Sequence, residues 1–330
     1  MPVSRRIFLG GVGAASAATL LPRGAFAAWP DRPIRLIVPF AAGGNADIVG
    51  RLAGEQIGKL VGGTVVVENR GGGGGGIGAE FVARAAPDGY TLLVGSNGPL
   101  TVNPFVNERL NYDPLKDFEP IALTSYVPHA LAMSGKGTAK TLAEVMTLSK
   151  TRPVTVATSG VGSATHMTLE RFKHATGVNI THVPYRSGGA MMPDLLSGAI
   201  DGAMTEISTA LPMHKDGQVR ICAVAAAQRS KTSPDIPTFI DGGVKDFTGA
   251  SFVGILAPAR TPADIVAKLQ EAVEKGLAPG STAAQRIVEM GGEIATAEQM
   301  TAKGFAAFIR TDYENMKQAA AFANIKPGAQ

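Results

Sequence analysis

The chain has 330 residues, of which 45% are hydrophobic, with 31 basic and 27 acidic side chains. Three of the basic residues and none of the acidic ones lie within residues 1–27, so the rest of the chain carries a net charge of +1. This balance excludes the basic surface expected of a protein that binds nucleic acid or an anionic membrane. The length suits two domains of ordinary size. The single cysteine, Cys222, excludes an internal disulfide, and its apolar neighbours predict a buried structural role.

The first 27 residues have the form of an export signal. Arg5 and Arg6 precede a weakly apolar stretch at 10–21 that is too short to span a bilayer, and an AFA cleavage motif ends at Ala27. Segment 4–9, SRRIFL, matches the twin-arginine export pattern, with an ordinary secretory signal as the alternative. We therefore expect cleavage after Ala27 and delivery to the periplasm. No later apolar run predicts a membrane span.

After the signal, short β-type runs alternate with helical ones. The run Ile34–Val38 predicts a buried strand, and an apolar stripe from Ile48 to Leu60 predicts the helix that follows it. Residues 64–68 and 91–94 are the next predicted strands, with a further helix between them. Strands and helices that alternate through short loops are typical of an α/β protein with a parallel sheet covered on both faces.

The second part of the chain continues this alternation. An amphipathic helix is predicted after Pro262, and the last long helix is predicted at 297–321. Two extended segments, 121–127 and 251–256, are the predicted places where the chain changes domain. Further strands are predicted at 154–157, 180–183, 203–206 and 221–225.

Six consecutive glycines, residues 71–76, stand between a predicted strand and a predicted helix. This is the context of a dinucleotide-binding turn, but six glycines satisfy GxGxxG trivially, and no carboxylate follows the next strand to hold a ribose. No Gly-Lys-Ser or Gly-Lys-Thr follows the glycines, which excludes a P-loop. We therefore expect no nucleotide cofactor, and we interpret the run as a tight turn near the site.

The same strand–loop–helix arrangement recurs at residues 39–47 and 158–163. A helix N-terminus carries unpaired N–H groups and partial positive charge, and glycines let the backbone approach a ligand closely. Three such loops at strand ends predict a cleft lined by amides and hydroxyls, which suits a small anion. Each loop taken alone is equally well explained as a tight connection.

Several segments resemble the tripartite tricarboxylate transporter receptor family, also called Bug proteins. They include WPDRPIRLIVPFAAGGNAD at 29–47, VVVENRGGGGGGIGAE at 65–80, SGVGSATHMTLE at 159–170 and HVPYRSGGAMMPDLLSGAID at 182–201, in the order and spacing of that family. The resemblance implies a two-lobed α/β fold of the type-II periplasmic binding class. Each lobe is expected to be a mostly parallel sheet flanked by helices, with the ligand cleft between the lobes.

The resemblance also assigns the parts of the chain and its function. Residues 28–125 and 251–330, with the C-terminal helices, are assigned to the first lobe and 126–250 to the second. The implied function is a periplasmic receptor for a small organic carboxylate, held by main-chain groups and ordered water. Its implied partner is a tripartite-type membrane permease, with an orphan or sensory receptor as the alternative. We expect a monomer without cofactor or metal.

The ligand-binding residues are carried over position by position. Four of them have an alternative structural interpretation. Asp47 also suits the capping of the first helix, and His166 the surface of a later one. Arg186 either clamps a second carboxylate or pins its own loop. Glu206 either accepts from a ligand amine or hydroxyl or stabilises its strand end. The expected residues are Phe40, Ala42, Gly43, Gly44, Asp47, Ser96, Asn97, Ser159, Gly160, Gly162, Ser163, His166, Tyr185, Arg186 and Glu206.

Catalysis has no candidate constellation in the sequence. The chain contains no GxSxG nucleophile elbow, no HExxH metal motif and no cysteine paired with a histidine motif. We therefore predict a binding protein and no enzyme. The alternative from another class is an exported α/β hydrolase-like enzyme that uses the same cleft.

Overall fold

The computed structural model describes residues 29–230, 233–322, 324–325 and 327–328. The predicted export signal at 1–27 lies outside the described residues, and so does its cleavage site. The strands are β1 (Ile34–Val38), β2 (Val65–Asn69), β3 (Thr91–Gly95), β4 (Phe118–Ser134), β5 (Val154–Thr158), β6 (Ile180–Pro184), β7 (Gly202–Glu206), β8 (Val219–Val224), β9 (Ala250–Pro258) and β10 (Glu293–Ile294). The helices are α1 (Asn45–Val61), α2 (Gly76–Ala83), α3 (Asn103–Val106), α4 (Leu142–Thr151), α5 (Ala164–Thr176), α6 (Met192–Ser197), α7 (Ile207–Lys215), α8 (Ala263–Gly276), α9 (Thr282–Glu289) and α10 (Ala302–Phe322).

The strands form one curled sheet in the order β2-β1-β3-β9-β4-β7-β5-β6, with β8 and β10 also paired to β4. The outer strands are parallel: β1 pairs with β2 and β3, and β5 pairs with β6 and β7. The central strands β4 and β9 run antiparallel to each other and to their neighbours β7 and β3. The predicted α/β fold is confirmed, and the parallel pairing predicted from alternation applies to the outer strands.

Strand β4 passes from one hydrophobic core to another. Its first half contributes Ile121 and Leu123 to a core that includes β1, β3, β9 and α8. Its second half contributes Leu131 and Met133 to a core that includes β5 and α5. The extended segments predicted at 121–127 and 251–256 lie within β4 and β9. The exact lobe boundaries in the sequence stay predictions.

Local signals explain where several helices begin and end. In α1, Val49, Ala53 and Ile57 are buried, and the helix ends at Gly62, whose φ of 69° is a conformation that glycine adopts without strain. Helix α10 begins at Ala302, five residues later than the predicted 297. The reason is that the Thr301 hydroxyl accepts a hydrogen bond from the Gly304 N–H and so caps the helix at this point.

Three further findings bear on function. Cys222 is buried as predicted, and burial raises the pKa of its thiol to about 12, so it is unreactive at neutral pH. Among the described residues, no helix combines the length and apolar character needed to cross a bilayer. The same residues contain no group of three histidine, cysteine, aspartate or glutamate side chains that could hold a metal ion.

Candidate functional site

A cavity of about 980 Å³ lies where the carboxyl ends of β1 and β3 face those of β5, β6 and β7. Its wall comes from the loops after the parallel strands on each side of the sheet, β1–β3 on one side and β5–β7 on the other, and from the start of β9 between them. Ligands of proteins with open α/β sheets bind at this position, because the loops that follow the strands diverge there and form a crevice. The lining segments are 40–41, 44–46, 71–75, 96–98, 159–161, 163–165, 184–190 and 251–253, with Glu206 and Thr209.

Most of the residues expected from the sequence meet at this cavity, and some do not. Ala42, Gly43, Asp47, Gly162 and His166 are not part of the wall. The expected residues that line it are Phe40, Gly44, Ser96, Asn97, Ser159, Gly160, Ser163, Tyr185, Arg186 and Glu206.

Asp47 shapes the first loop from behind the wall. Its buried carboxylate accepts hydrogen bonds from the Gly43 N–H at 3.0 Å and from Asn69 Nδ2 at 2.8 Å, and it pairs with Arg51 at 2.9 Å. Burial opposes ionisation of Asp47, but the hydrogen bonds from these groups outweigh it and lower the pKa. Asp47 lies in the first turn of α1, where its charge stabilises the helix, but its bond to the Gly43 N–H holds the loop before the helix and does not cap it.

His166 and Gly162 hold the second loop, 158–163, from behind the cavity wall. His166 Nδ1 accepts from the Gly162 N–H at 3.1 Å, and its ring stacks on His182 at 4.1 Å. Burial lowers the pKa of both histidines to about 4, so both rings are neutral at physiological pH. Gly162 has a φ of 70°, and a Cβ there would lie 2.6 Å from Val106 Cγ2. His166 is buried, contrary to the alternative that placed it on the helix surface.

Two helix N-termini point at the cavity. Helix α1 begins after Gly44, which offers no side-chain cap, and Asn45 and Ala46 line the wall. Helix α5 begins after Ser163, and Ala164 and Thr165 line the opposite wall. The first N–H groups of a helix are unpaired and carry partial positive charge. The cavity is therefore suited to an anionic group between the two helices.

Two hydroxyl groups in the wall have no hydrogen-bond partner within the described chain. Ser96 is 7% exposed and Ser159 is half-buried, and the Oγ atoms of both are buried without a partner. Buried polar groups in native proteins are normally paired, so a ligand or water is needed at each hydroxyl. Both can donate to an anion.

Asn97 lines the cavity, but its side chain is used by the protein. Its Oδ1 accepts from the Phe252 N–H at 3.0 Å, and its Nδ2 donates to Asp312 at 3.1 Å. These bonds tie the end of β3 to β9 and to α10. Burial raises the pKa of the Asp312 carboxyl, and the donors on Asn97 and Thr101 partly offset this effect.

Two residues after β6 contribute differently to the wall. The Tyr185 hydroxyl donates to Asp194, which raises the pKa of the tyrosine and fixes its ring. Arg186 is exposed and forms no hydrogen bond or ion pair with any described residue. The alternative in which Arg186 pins its own loop therefore has no supporting contact, and its guanidinium is available to a ligand.

The glycine run forms part of the wall from Gly71 to Gly75. Gly72 to Gly75 all have positive φ values, which side chains other than glycine adopt with strain. The amide of Asn103 donates to the carbonyls of Gly73 and Gly74 at 3.0 and 3.3 Å and holds the loop in place. The interpretation as a tight turn near the site agrees with this geometry.

Ser251, Phe252 and Val253 also line the cavity, although the sequence did not predict them as site residues. These residues lie on β9, which reaches the cavity because it pairs with both β3 and β4. No local motif marks them. Thr165, by contrast, lies in the segment 159–170 that carries the family resemblance, and its hydroxyl accepts from the Ser159 N–H at 3.1 Å.

We expect Gly160→Ala to weaken ligand binding about tenfold, the effect of 1.4 kcal/mol. Gly160 lines the cavity with a φ of 120°, and a Cβ there would lie 3.0 Å from the Tyr185 carbonyl oxygen. The loop before α5 must therefore shift or remain strained. Gly189→Ala is the matched control, because Gly189 also lines the cavity, has no positive φ and leaves its Cβ free of contacts within 4 Å. Calorimetric titration of both variants checks this, and equal affinities would contradict it.

The family model described as "Tripartite tricarboxylate transporter family receptor" matches residues 49–318. The solved structure of R. palustris Rpa4515 with adipate is 30% identical in sequence, with a TM-score of 0.86 over 91% of this chain and 99% of that one. MatC (Rpa3494) from Rhodopseudomonas palustris with bound malate is 32% identical, with a TM-score of 0.82 over 88% and 99% of the two chains.

A further solved structure, the periplasmic binding protein BugD, is 32% identical and has a TM-score of 0.84 over 91% of this chain and 100% of that one. The three matches cover nearly the whole length of the solved chains. They confirm the two-lobed periplasmic binding fold expected from the sequence.

Proposed function

Because the chain belongs to the tripartite tricarboxylate transporter receptor family, we propose that it captures a small organic carboxylate in this cleft and passes it to a tripartite-type membrane permease. The family and the fold are those of periplasmic solute-binding receptors. The observation that carries the proposal is the cavity, on which two helix N-termini and two unpartnered hydroxyls converge. Solved relatives hold adipate and malate.

The arrangement supports recognition of charge by fixed backbone dipoles. Carboxylate oxygens accept from N–H groups at a helix start, and such charge-assisted bonds are stronger than neutral ones. The cavity is larger than a small dicarboxylate, which leaves room for bridging water and for closure of the lobes around the ligand. Delivery to the periplasm rests on the predicted twin-arginine signal and cleavage after Ala27, and the protein is proposed to act as a monomer.

A contact between Ser251, which lines the cavity, and the buried His129 must be weighed against this proposal. Ser251 Oγ lies 2.9 Å from His129 Nε2, as a nucleophile and its base would. Burial lowers the pKa of His129 to about 3, with a smaller effect from the Arg171 charge, so the imidazole is a very weak base. Its other nitrogen contacts the Thr168 hydroxyl and not a carboxylate. These features support binding without hydrolysis, and turnover of a bound ligand would contradict them.

We expect conversion of the bound carboxylate of a ligand to an amide to weaken binding about 10- to 100-fold. The amide removes the charge and places N–H donors against the donors of the wall, so at least one charged hydrogen bond is lost. Calorimetric titration of residues 28–330 with matched acid and amide pairs measures the effect. An amide that binds as tightly as its acid would falsify carboxylate recognition at this site.

A pair of serine variants tests whether the ligand binds in the cavity. Ser96 and Ser125 both carry buried hydroxyls without a partner in the described chain, but of the two only Ser96 lines the cavity. Ser96→Ala should therefore weaken binding of the acid, whereas Ser125→Ala should leave it unchanged. Equal binding by both variants would place the ligand elsewhere.

A further inference from the structure

Glu206 is a carboxylate in the cavity wall that its own helix does not use. It is the last residue of β7 and the N-cap residue of α7, and its side chain forms no capping hydrogen bond with that helix. Glu206 and Arg186 are the two charged side chains in the described cavity wall. A carboxylate would repel an anionic ligand, so its presence in an anion-binding cavity needs a physical explanation.

Three hydrogen bonds connect Glu206 to the buried interior. Ser251 Oγ lies 2.8 Å from Glu206 Oε1, His129 Nε2 lies 2.9 Å from Ser251 Oγ, and Thr168 Oγ1 lies 2.7 Å from His129 Nδ1. The four residues lie on β7, β9, β4 and α5, so the chain of bonds joins both parts of the sheet. Ser251, His129 and Thr168 are all buried.

The chemistry of these groups sets the direction of each bond. A glutamate carboxylate accepts, so the Ser251 hydroxyl donates to it. The Ser251 oxygen then accepts from His129 Nε2–H, and a neutral imidazole with a proton on Nε2 accepts at Nδ1 from the Thr168 hydroxyl. Burial keeps His129 neutral by lowering its pKa to about 3. The chain of bonds therefore ends in an acceptor, and it holds Glu206 Oε1 in a fixed position.

The second oxygen of the carboxylate has no such partner. Glu206 Oε2 forms no hydrogen bond with the described residues, and the nearby Gly188 leaves its approach open, since a Cβ there would lie 3.4 Å from Oε2. A ligand that offers only carboxylate oxygens would place acceptor against acceptor at this point. A ligand with an N–H or O–H group would donate to Oε2 instead, in a charge-assisted bond.

We propose that Glu206 selects, among small carboxylates, those that also carry an ammonium or hydroxyl donor, and that Ser251 and His129 position it for this task. The inference rests on the proposed function and names the ligand class of the same site. Arg186 and the two helix N-termini serve the anionic groups of the ligand, and Glu206 serves the donor. The two charged side chains and the two helix N-termini of the wall then each have a matching group on one small molecule.

Calorimetric titration with matched carboxylates tests the proposal. The panel contains three sets, each of a plain carboxylate with its hydroxyl and amino counterparts. The first set is succinate with malate and aspartate, the second is glutarate with 2-hydroxyglutarate and glutamate, and the third is propionate with lactate and alanine. For at least one set, a donor-bearing member should bind about 10- to 100-fold more tightly than its plain counterpart. In Glu206→Gln this ratio should fall towards one, because the amide has lost the charge and offers a donor of its own.

Two further variants separate selection from folding. Ser251→Ala removes the bond to Oε1, and we expect a smaller ratio between the affinities for donor-bearing and plain carboxylates, because Glu206 is no longer held in place. A loss of stability alone would weaken the binding of both kinds of ligand and leave their ratio unchanged. Glu293→Gln is the control, since Glu293 is exposed and lies outside the cavity wall, and its ratio should match that of the unaltered protein. Plain carboxylates that bind as tightly as their donor-bearing counterparts, or a ratio unchanged in Glu206→Gln, would overturn the inference while leaving carboxylate binding intact. Binding of no carboxylate at all would overturn the proposed function itself.

Discussion

Phe172→Ala is expected to lower the free energy of unfolding by about 3–5 kcal/mol. Phe172 is fully buried on α5, and its ring packs edge-on against Phe239 at 5.2 Å and against Phe247 at 6.2 Å. Removal of the ring loses its transfer free energy and leaves a cavity that the neighbouring strands cannot fill completely. Because α5 presents its N-terminus to the ligand cavity, we also expect weaker ligand binding. Denaturant unfolding with and without ligand measures both effects.

The control for this substitution is Leu60→Ala on α1. Leu60 is 48% exposed, so its truncation should change the free energy of unfolding by less than about 0.5 kcal/mol. A loss of less than 1 kcal/mol in Phe172→Ala would show that the three phenylalanines do not form a tightly packed core in this part of the protein.

Acidification from pH 6.5 to pH 4.5 is expected to destabilise the protein by up to about 1.4 kcal/mol per pH unit for each of three buried or half-buried histidines. Burial lowers the pKa of His129 from 6.5 to about 3, and those of His166 and His182 from 6.5 to about 4. The unfolded chain therefore binds these protons at a higher pH than the folded chain does. The stability is complete above pH 6.5 and is lost as the pH falls towards the folded values. Denaturant unfolding at half-unit steps measures the slope.

Two other groups set the limits of this window. Burial raises the pKa of Asp312, so this carboxyl takes up its proton at a higher pH in the folded chain than in the unfolded chain. Its protonation therefore opposes the loss of stability on acidification. The Arg152 guanidinium and the Thr155 donors lower the pKa of Asp201 to about 2, so its contribution is lost at a lower pH than that of the histidines. His182→Gln should reduce the slope of the unfolding free energy against pH by the contribution of one of the three histidines. A free energy of unfolding that stays constant from pH 7 to pH 4.5 would contradict the burial of neutral histidines.

Several elements were predictable because their signals are local. The strand Ile34–Val38 was predicted with its exact limits from a run of apolar, largely β-branched residues. Glycines and small polar residues after strands marked the loops that carry Phe40, Ser159 and Gly160 to the cavity. In each case neighbouring residues are enough to specify the backbone conformation.

Other features depended on contacts between distant residues. His129, Glu206 and Ser251 meet across sequence separations of 122 and 45 residues, and none of them belongs to a motif that indicates this contact. The directions of the Asp47 and His166 side chains were equally hidden, since a residue in a loop beside the cavity can point into the cavity or into the loop itself. Their hydrogen bonds to Gly43 and Gly162 show that both side chains point into their own loops and not into the cavity.

The sequence by itself determined the family, the α/β class and the loops that form the cavity, because these depend on local hydrophobic periodicity and on motifs preserved in order. Only the tertiary structure decided that β4 and β9 run antiparallel through the centre of the sheet, and that a buried chain of hydrogen bonds holds Glu206, which the sequence had already placed at the site. The physical reason is that strand partners and buried polar contacts are selected by packing of the whole chain, where each group must find a partner once water is excluded.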